Sequence, residues 1–218
     1  MKILDVPQSG SVAGTTSSRN SFGQYRRTRA TPVNPATAFQ QAVRSRLANN
    51  SQNWRDLTSI DRYGWAVLGS QVVRNDSLGQ SYTLTGFQCY CLVNNNNLAA
   101  GNAVVSTPPA HVPPDPIATV TPTITAATFS VAFTPTPMGA GERIFISCSP
   151  QRSAGRSFEG DFRLISVSAA AGTSPSNIFS AYQARFGNPI VGGRIFVSVQ
   201  RYALGWLSTP IITSGIVA

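Results

Sequence analysis

This chain is poor in the residues that usually carry out chemistry. Its 218 residues include one histidine, three cysteines and eight carboxylates, and only 11% of them are charged. A catalytic site needs an acid, base or nucleophile pair that the fold brings together. No cysteine and histidine set has zinc-binding spacing, and Gly139-Ala140-Gly141 lacks the lysine of a phosphate loop. We therefore predict a non-enzymatic protein with no metal and no cofactor.

The few candidates for chemistry fit structural roles better. His111 lies in a proline-rich stretch, where a solvated loop residue is the favoured interpretation. Glu159 and Asp161 flank Gly160 near a predicted strand. They could serve in acid–base work or bind Ca²⁺, although a solvated turn is favoured. Long apolar runs are also missing: none reaches 18 residues, so no transmembrane helix is expected.

The cysteine pattern argues against a disulfide. Cys89 and Cys91 are two apart in a predicted strand, so both side chains point to one face and cannot easily bridge each other. Cys148 lies in another predicted strand and leaves an odd count. Buried, reduced thiols are the favoured state. That state predicts folding in the cytosol.

Negative charge is scarce and lysine is almost absent. Sixteen of the seventeen basic residues are arginine, and the net charge is +9. The charge is uneven, because residues 1–76 carry +6 and residues 77–218 carry +3. Arginine offers a planar fork to carboxylates, phosphates and carbonyls, and it is enriched in interface cores where lysine is depleted. This composition predicts a surface that is largely covered by partners.

The first 33 residues predict an extended, basic N-terminal arm. Glycines interrupt a stretch rich in serine and threonine, and no helical period appears. Residues 25–29 alternate and could pair as a strand. The arm has too little apolar surface to become ordered on its own chain, so we expect it to become ordered against a neighbour.

Residues 34–106 predict a helical hairpin followed by a β segment. Asn34 is a good N-cap with Pro35 at the first helical position, and this helix should end near residues 49–50. A second helix should start after Thr58, with Asp61 as its capping partner. The apolar spacing predicts that the core of the hairpin consists of Phe39, Val43, Leu47, Trp54, Leu57 and Trp65.

From residue 81 onwards the pattern changes to period two. Residues 81–93 would form a strand with Phe87, Cys89, Cys91 and Val93 on one face. The four asparagines at 94–97 would form a turn. Five prolines then make residues 107–116 a stiff linker.

Residues 117–218 have the pattern of a β-sandwich, with short strands separated by turn residues. The apolar parity shifts within residues 161–168, which predicts a bulge, and residues 178–185 could instead be a short helix. The predicted strands are 117–125, 127–135, 143–149, 161–168, 178–185, 193–202 and 208–216. The fold class expected for the chain is therefore mainly β: an extended N-terminal arm and a small helical hairpin, followed by a C-terminal immunoglobulin- or fibronectin-like β-sandwich.

Several short motifs in the first hundred residues carry a family resemblance. They have the form S-R-N-x-x-G, P-V-N-P, Q-x-x-V-R, S-Q-x-W and R-x-x-W, and they begin at Ser18, Pro32, Gln40, Ser51 and Arg62. In this respect residues 10–100 resemble a module of uncharacterised phage and prophage proteins, which is often followed by a fibronectin- or immunoglobulin-like domain. The resemblance implies a virion or phage-associated setting and no catalytic residues.

We therefore expect a structural component of a bacteriophage-type virion, made in the host bacterial cytoplasm and located in the particle. It could be a capsid decoration, head–tail or tail/fibre protein. Its partners would be copies of itself or other virion proteins, with no membrane. The alternative is a nucleic-acid-binding packaging or regulatory protein that uses the same arginines. The predicted interface residues are Arg19, Phe22, Tyr25, Arg26, Arg27, Arg29, Arg44 and Arg46.

Overall fold

The chain divides into two compact units, residues 1–42 and residues 43–218. The computed structural model describes residues 8–20, 23–76 and 78–218. In the first unit, three antiparallel strands form one small sheet in the order β1-β2-β3. These strands are β1 (Gly10–Val12), β2 (Thr15–Asn20) and β3 (Gly23–Thr28). The described part of the expected arm therefore folds back on itself as a sheet, and its predicted strand near Tyr25 is confirmed as β3.

Helices come next along the chain. Helix α1 (Ala38–Asp56) crosses the boundary between the units, and α2 (Ser59–Gln71) and α3 (Gly86–Ala99) follow it. Between α2 and α3 lies a short hairpin of β4 (Val73–Asn75) and β5 (Ser81–Thr83). The main helix pair is α2 with α3, rather than the expected hairpin of α1 with α2.

The remaining strands form two antiparallel sheets. One has the order β10-β7-β6, and the other has the order β12-β11-β8-β9, with β13 also paired to β11. Alternate residues of β7, β8 and β11 point into one apolar cluster that the two sheets share. The strand bounds are β6 (Thr119–Ile124), β7 (Phe129–Thr134), β8 (Arg143–Cys148), β9 (Arg163–Val167), β10 (Ser176–Asn177), β11 (Arg194–Ala203), β12 (Trp206–Leu207) and β13 (Ile211–Ile216).

One finer prediction for this region is confirmed, and for a second segment the alternative is the structure that forms. The register between β8 and β9 shifts at Ile146 and Ser147, which is the irregularity that the parity change predicted. The segment that could be strand or helix is helix α4 (Phe179–Phe186). Its Tyr182 is buried, with its ring edge-on to Phe129 at a centroid distance of 5.2 Å.

The fold class is mixed rather than mainly β. Among the described residues there are four helices and thirteen strands, and the helical and strand fractions are 26% and 31%. The difference from the expectation arises mostly in residues 86–99, which were predicted as a strand and a turn and form α3. Thr85 and Gln88 make a reciprocal capping box at its start. The buried positions of α3 follow helical spacing: Cys89, Tyr90, Val93, Asn94 and Asn97.

The ends of α1 also differ from the prediction. The helix starts at Ala38, because Thr37 and Gln40 exchange hydrogen bonds of 3.3 Å as a capping box, and Asn34 is not its N-cap. It continues past residues 49–50 to Asp56. The start of α2 is confirmed: the Thr58 side chain accepts a hydrogen bond from the Asp61 N–H at 3.1 Å.

Residues 107–116 have no regular secondary structure, and they are held against the folded body of the second unit. The indole Nε1 of Trp206 donates to the carbonyl of Ala110 at 2.8 Å. The ring of His111 packs on Trp206 at a centroid distance of 4.7 Å. His111 is therefore half-buried, which corrects the expectation of a solvated loop residue.

Candidate assembly surface

The small sheet of β1, β2 and β3 carries arginine on both of its faces. Its register pairs Arg19 with Gln24 and Ser17 with Arg26, so Arg19 and Arg26 lie on one face. Tyr25 and Arg27 lie on the opposite face. The three arginines are exposed and Tyr25 is half-buried. Phe22 lies outside the described residues.

This sheet has charge of one sign and almost no apolar surface. Residues 8–42 contain Arg19, Arg26, Arg27 and Arg29 and no carboxylate. The strand positions between these arginines are mostly serine and threonine. A three-stranded sheet needs an apolar face or a packed neighbour to be stable by itself. The sheet therefore lacks, within its own three strands, the apolar face that would stabilise it.

Helix α1 carries an apolar stripe that its sequence pattern placed in a core. The stripe consists of Phe39, Val43 and Leu47, whose exposed fractions are 47%, 47% and 49%. The prediction that these residues are core is therefore wrong. Asn50 and Trp54 continue the same face of the helix, and they are buried and half-buried. The same helix face is thus buried or half-buried towards its C-terminal end and about half-exposed towards its N-terminal end.

The C-terminal half of α1 is fixed by several contacts. The Trp54 ring packs against Tyr90 and Phe87 of α3, at centroid distances of 5.4 and 5.7 Å. Asn50 Nδ2 donates to Asn95 Oδ1 at 3.0 Å. The Arg62 guanidinium donates to the carbonyls of Trp54 and Arg55 at the end of the helix. The guanidinium of Arg62 is therefore engaged in hydrogen bonds within the chain, so Arg62 is poorly suited to contact DNA bases.

Arg44 and Arg46 lie on either side of the α1 stripe. Arg44 is exposed, and Arg46 is half-buried. Helix α2 carries a second apolar stripe that was not predicted, formed by Ile60, Tyr63 and Val67. Its first two residues are 82% and 73% exposed. The spacing of three and then four residues could have revealed it, since that period marks one face of a helix.

The other predicted core residues lie in the cluster between α2 and α3. Trp65 is fully buried, with Trp54 and Leu57 packed at the edge of the cluster. The Trp65 ring stands edge-on to Tyr90 at 5.2 Å, and its Nε1 donates to the Ser106 carbonyl at 2.6 Å. Gly86 permits the close approach of the two helices, since a Cβ there would lie 2.9 Å from the backbone nitrogen of Ala66.

The four consecutive asparagines form links between α3 and its surroundings. Asn94 bonds to the backbone of Val105, and Asn95 bonds to Asn50 of α1. Asn96 Nδ2 donates to the Gly205 carbonyl at 2.9 Å, and Asn97 Oδ1 accepts from the Tyr202 hydroxyl at 2.6 Å. These bonds attach α3 to the segment before the sheets and to the turn after β11. The asparagines therefore hold the helical part of the second unit on its sheet part.

Glu159 is a buried carboxylate paired with two partly exposed arginines, rather than a solvated turn residue. It is 4% exposed and forms ion pairs with Arg152 and Arg156. The N–H of Asp161, which hydrogen-bonds Glu159 Oε1, is the main cause that lowers the pKa of Glu159 from 4.5 to about 2, and Arg152 adds to the effect. A carboxylate held charged in this way is unsuited to donate a proton near neutral pH.

The remaining chemistry-bearing groups are dispersed. Within residues 8–20, 23–76 and 78–218, no three histidine, cysteine or acidic side chains come close enough to hold a metal ion. All three cysteines are free thiols, and burial raises the pKa of Cys89 to about 11 and that of Cys148 to about 12. None of the described helices is long and apolar enough to span a membrane.

No protein-family model matches the chain, and no curated protein matches it.

Proposed function

We propose that the chain is a non-enzymatic structural component of a bacteriophage-type virion that assembles through its N-terminal region. It would act as a capsid decoration, head–tail or tail/fibre protein, with copies of itself or other virion proteins as partners. The observation that carries the proposal is the α1 stripe. Apolar side chains at this spacing are normally buried by a neighbouring element, and here about half of the surface of each is exposed.

The surface that would cover the α1 stripe is the α2 stripe of a second copy. Each stripe presents three apolar side chains over about two helical turns, so the side chains of one stripe can pack between those of the other. Because the two stripes are different surfaces, their contact would be heterologous. Such a contact repeats around a closed ring or along a filament, and both forms occur among the proposed virion roles.

The basic sheet would strengthen this contact. Its exposed arginines can donate paired hydrogen bonds to carboxylates or carbonyls of a neighbouring subunit. We also propose that the two sheets in residues 117–218 form an immunoglobulin- or fibronectin-like domain, which would serve as the displayed part of the subunit. The alternating inward residues of β7, β8 and β11 support that assignment.

The first test measures the assembly of the full chain. Mass photometry and negative-stain imaging of the parent should give rings or filaments that grow with concentration. The double variant Val43→Gln/Leu47→Gln should shift the population to monomers, because it places two polar groups in the proposed contact. Val112→Gln is the matched control, since Val112 is 63% exposed and lies outside both stripes. Removal of residues 1–33 should also prevent assembly while the second unit stays folded.

Two results would contradict the proposal. One is a parent chain that stays monomeric at every concentration. The other is assembly of the double variant, or of the chain without residues 1–33, that matches the parent.

A second candidate function is supported by the charge of residues 8–42. Four arginines without one carboxylate, next to the aromatic ring of Tyr25, suit the phosphates and bases of a nucleic acid. This candidate predicts DNA binding that weakens steeply with salt. Replacing Arg26, Arg27 and Arg29 with alanine should then reduce the slope of log K against log salt by about 3, since each phosphate contact adds roughly 0.9. A flat salt response would exclude this candidate.

A further inference from the structure

A cavity of about 570 Å³ lies in the second unit, where its helices meet its sheets. Its walls come from the end of α2 and strand β4, from α3, from residues 107–116 and from β11 with the turn that follows it. The volume is within the range of small-molecule sites, about 300–1,000 Å³. The wall of the cavity is apolar at Leu92 and Leu207. Its polar side chains include Arg74, Asn96, His111 and Gln200.

Arg74 places a positive charge at the cavity. It lies on β4 opposite Tyr82 and is exposed. Its guanidinium has no hydrogen bond or ion pair to any residue that the structure describes. A free guanidinium beside a cavity is suited to a carboxylate, which it can bind through two parallel hydrogen bonds.

His111 is oriented by ring packing and not by hydrogen bonds. Its ring lies against Trp206, whose own Nε1 is bonded to the carbonyl of Ala110. Within the described part of the chain neither imidazole nitrogen has a partner. The imidazole can therefore donate a hydrogen bond to a ligand in the cavity while the packing against Trp206 fixes its position.

Two amide side chains contribute acceptors that are held in place. Asn96 Nδ2 donates to the Gly205 carbonyl and Gln200 Nε2 donates to the Ser208 carbonyl, each at 2.9 Å. These bonds fix the amide planes. The Oδ1 atom of Asn96 and the Oε1 atom of Gln200 accept no hydrogen bond from the described residues. Fixed acceptors call for a ligand with O–H or N–H donors.

We propose that this cavity binds an acidic saccharide. A hexuronic acid residue would place its carboxylate on Arg74 and His111, and its hydroxyl groups would donate to Asn96 and Gln200. The C–H face of the ring would lie on Leu92 and Leu207. An acidic peptide fits less well, because it offers one backbone N–H per residue while a sugar ring offers several hydroxyl donors. This site is independent of the assembly proposal.

The test titrates the full chain with digalacturonic acid by isothermal titration calorimetry or by NMR. Saturable binding is expected, and Arg74→Gln should weaken it by roughly tenfold or more, as expected for the loss of a charged hydrogen bond. Gln200→Ala should weaken it to a smaller extent. Arg27→Gln is the matched control, because it removes the same charge from an exposed strand in the first unit. Leu47→Gln, which changes the proposed assembly surface, should bind digalacturonic acid as tightly as the parent does. Failure of the assembly proposal can therefore be distinguished from failure of the cavity proposal.

Three results would overturn the proposal. The first is no saturable binding of digalacturonic acid. The second is binding that Arg74→Gln and Arg27→Gln weaken equally, which would indicate nonspecific attraction to a basic chain. The third is binding of the dipeptide Glu-Glu that is as tight as that of the saccharide, which would assign the cavity to acidic peptide instead. Neutral cellobiose should bind more weakly than digalacturonic acid.

Discussion

The side chain of Asn94 satisfies both backbone polar groups of Val105. Its Nδ2 donates to the Val105 carbonyl at 3.1 Å, and its Oδ1 accepts from the Val105 N–H at 2.8 Å. Asn94 is fully buried in the middle of α3. The Asn94 amide thus makes the pair of backbone hydrogen bonds that a neighbouring strand would otherwise make to the segment that follows α3. The next bond in that segment, from Trp65 to Ser106, continues the attachment.

Asn94→Ala should destabilise the fold by about 2–6 kcal/mol, because it leaves two backbone groups without partners and each costs about 1–3 kcal/mol. Asn94→Asp should also destabilise it, since a carboxylate would face the Val105 carbonyl. Urea unfolding followed by tryptophan fluorescence measures both effects. Asn49→Ala is the control, because Asn49 is exposed on α1 and its loss should cost less than about 0.5 kcal/mol. Equal losses for the two asparagines would contradict the role of Asn94.

Trp65 and Leu47 should respond differently to substitution, although both were predicted to be core residues. Trp65→Ala should cost about 3–5 kcal/mol, because it empties a fully buried site and removes the bond to Ser106. Leu47→Gln should cost less than about 1 kcal/mol in the monomer, since Leu47 is half-exposed. The free energy of unfolding of each variant, measured at a dilution where the chain is monomeric, distinguishes the two sites. A large loss for Leu47→Gln would show that the stripe is covered within the monomer.

Glu159 should make the protein more stable above pH 4.5 than in acid. Its pKa is lower in the folded chain, about 2, than its ordinary value of 4.5. The unfolded chain therefore takes up the proton first as the pH falls. The contribution of Glu159 is fully present above pH 4.5, and it is lost as the pH falls towards 2.

The pH dependence of urea unfolding for Glu159→Gln tests this prediction. The variant should be less stable at neutral pH and should lose less stability than the parent as the pH falls from 4.5. Asp115→Asn, at an exposed position, is the control. An unchanged pH profile for Glu159→Gln would refute the prediction.

The native thiols should react slowly with alkylating reagents. Burial raises the pKa of all three cysteines, to about 11 for Cys89 and about 12 for Cys148. The reactive thiolate is therefore scarce at pH 8. Three thiols should be labelled quickly in denaturant, while the native chain is labelled slowly. Ser153→Cys adds an exposed control position that should be labelled at once. Rapid labelling of Cys89 or Cys148 in the native chain would contradict their burial.

Local sequence signals were reliable where one short-range interaction decides the structure. Thr58 and Asp61 fix the start of α2 by a bond within one helical turn. The alternating residues of β7 and β11 fix strands, since a period of two fits only a pleated chain. The same reasoning found the bulge opposite Ile146 and Ser147. These features depend on neighbours in sequence, so the sequence could reveal them.

The prediction for residues 86–99 was wrong because two periods were present in one segment. Cys89, Cys91 and Val93 alternate as in a strand, whereas Cys89, Tyr90, Val93 and Asn94 are spaced as one face of a helix. The contacts that favour the helix come from other segments of the chain. Tyr90 packs between Trp54 and Trp65, and Asn94 bonds to Val105. Within the segment itself, only the helical period and the Thr85 and Gln88 capping box favoured the helix, and the strand period opposed them.

The sequence by itself determined the basic charge of residues 8–42, the apolar periodicity of α1 and the strands after residue 117. The apolar periodicity indicates that Phe39, Val43 and Leu47 share one helix face, but it does not indicate which segment packs against that face. Only the tertiary structure decided that Asn50 and Trp54 are covered and that the three preceding stripe residues stay half-exposed. The physical reason is that burial depends on which other segments come near in space, and those segments are far away in sequence.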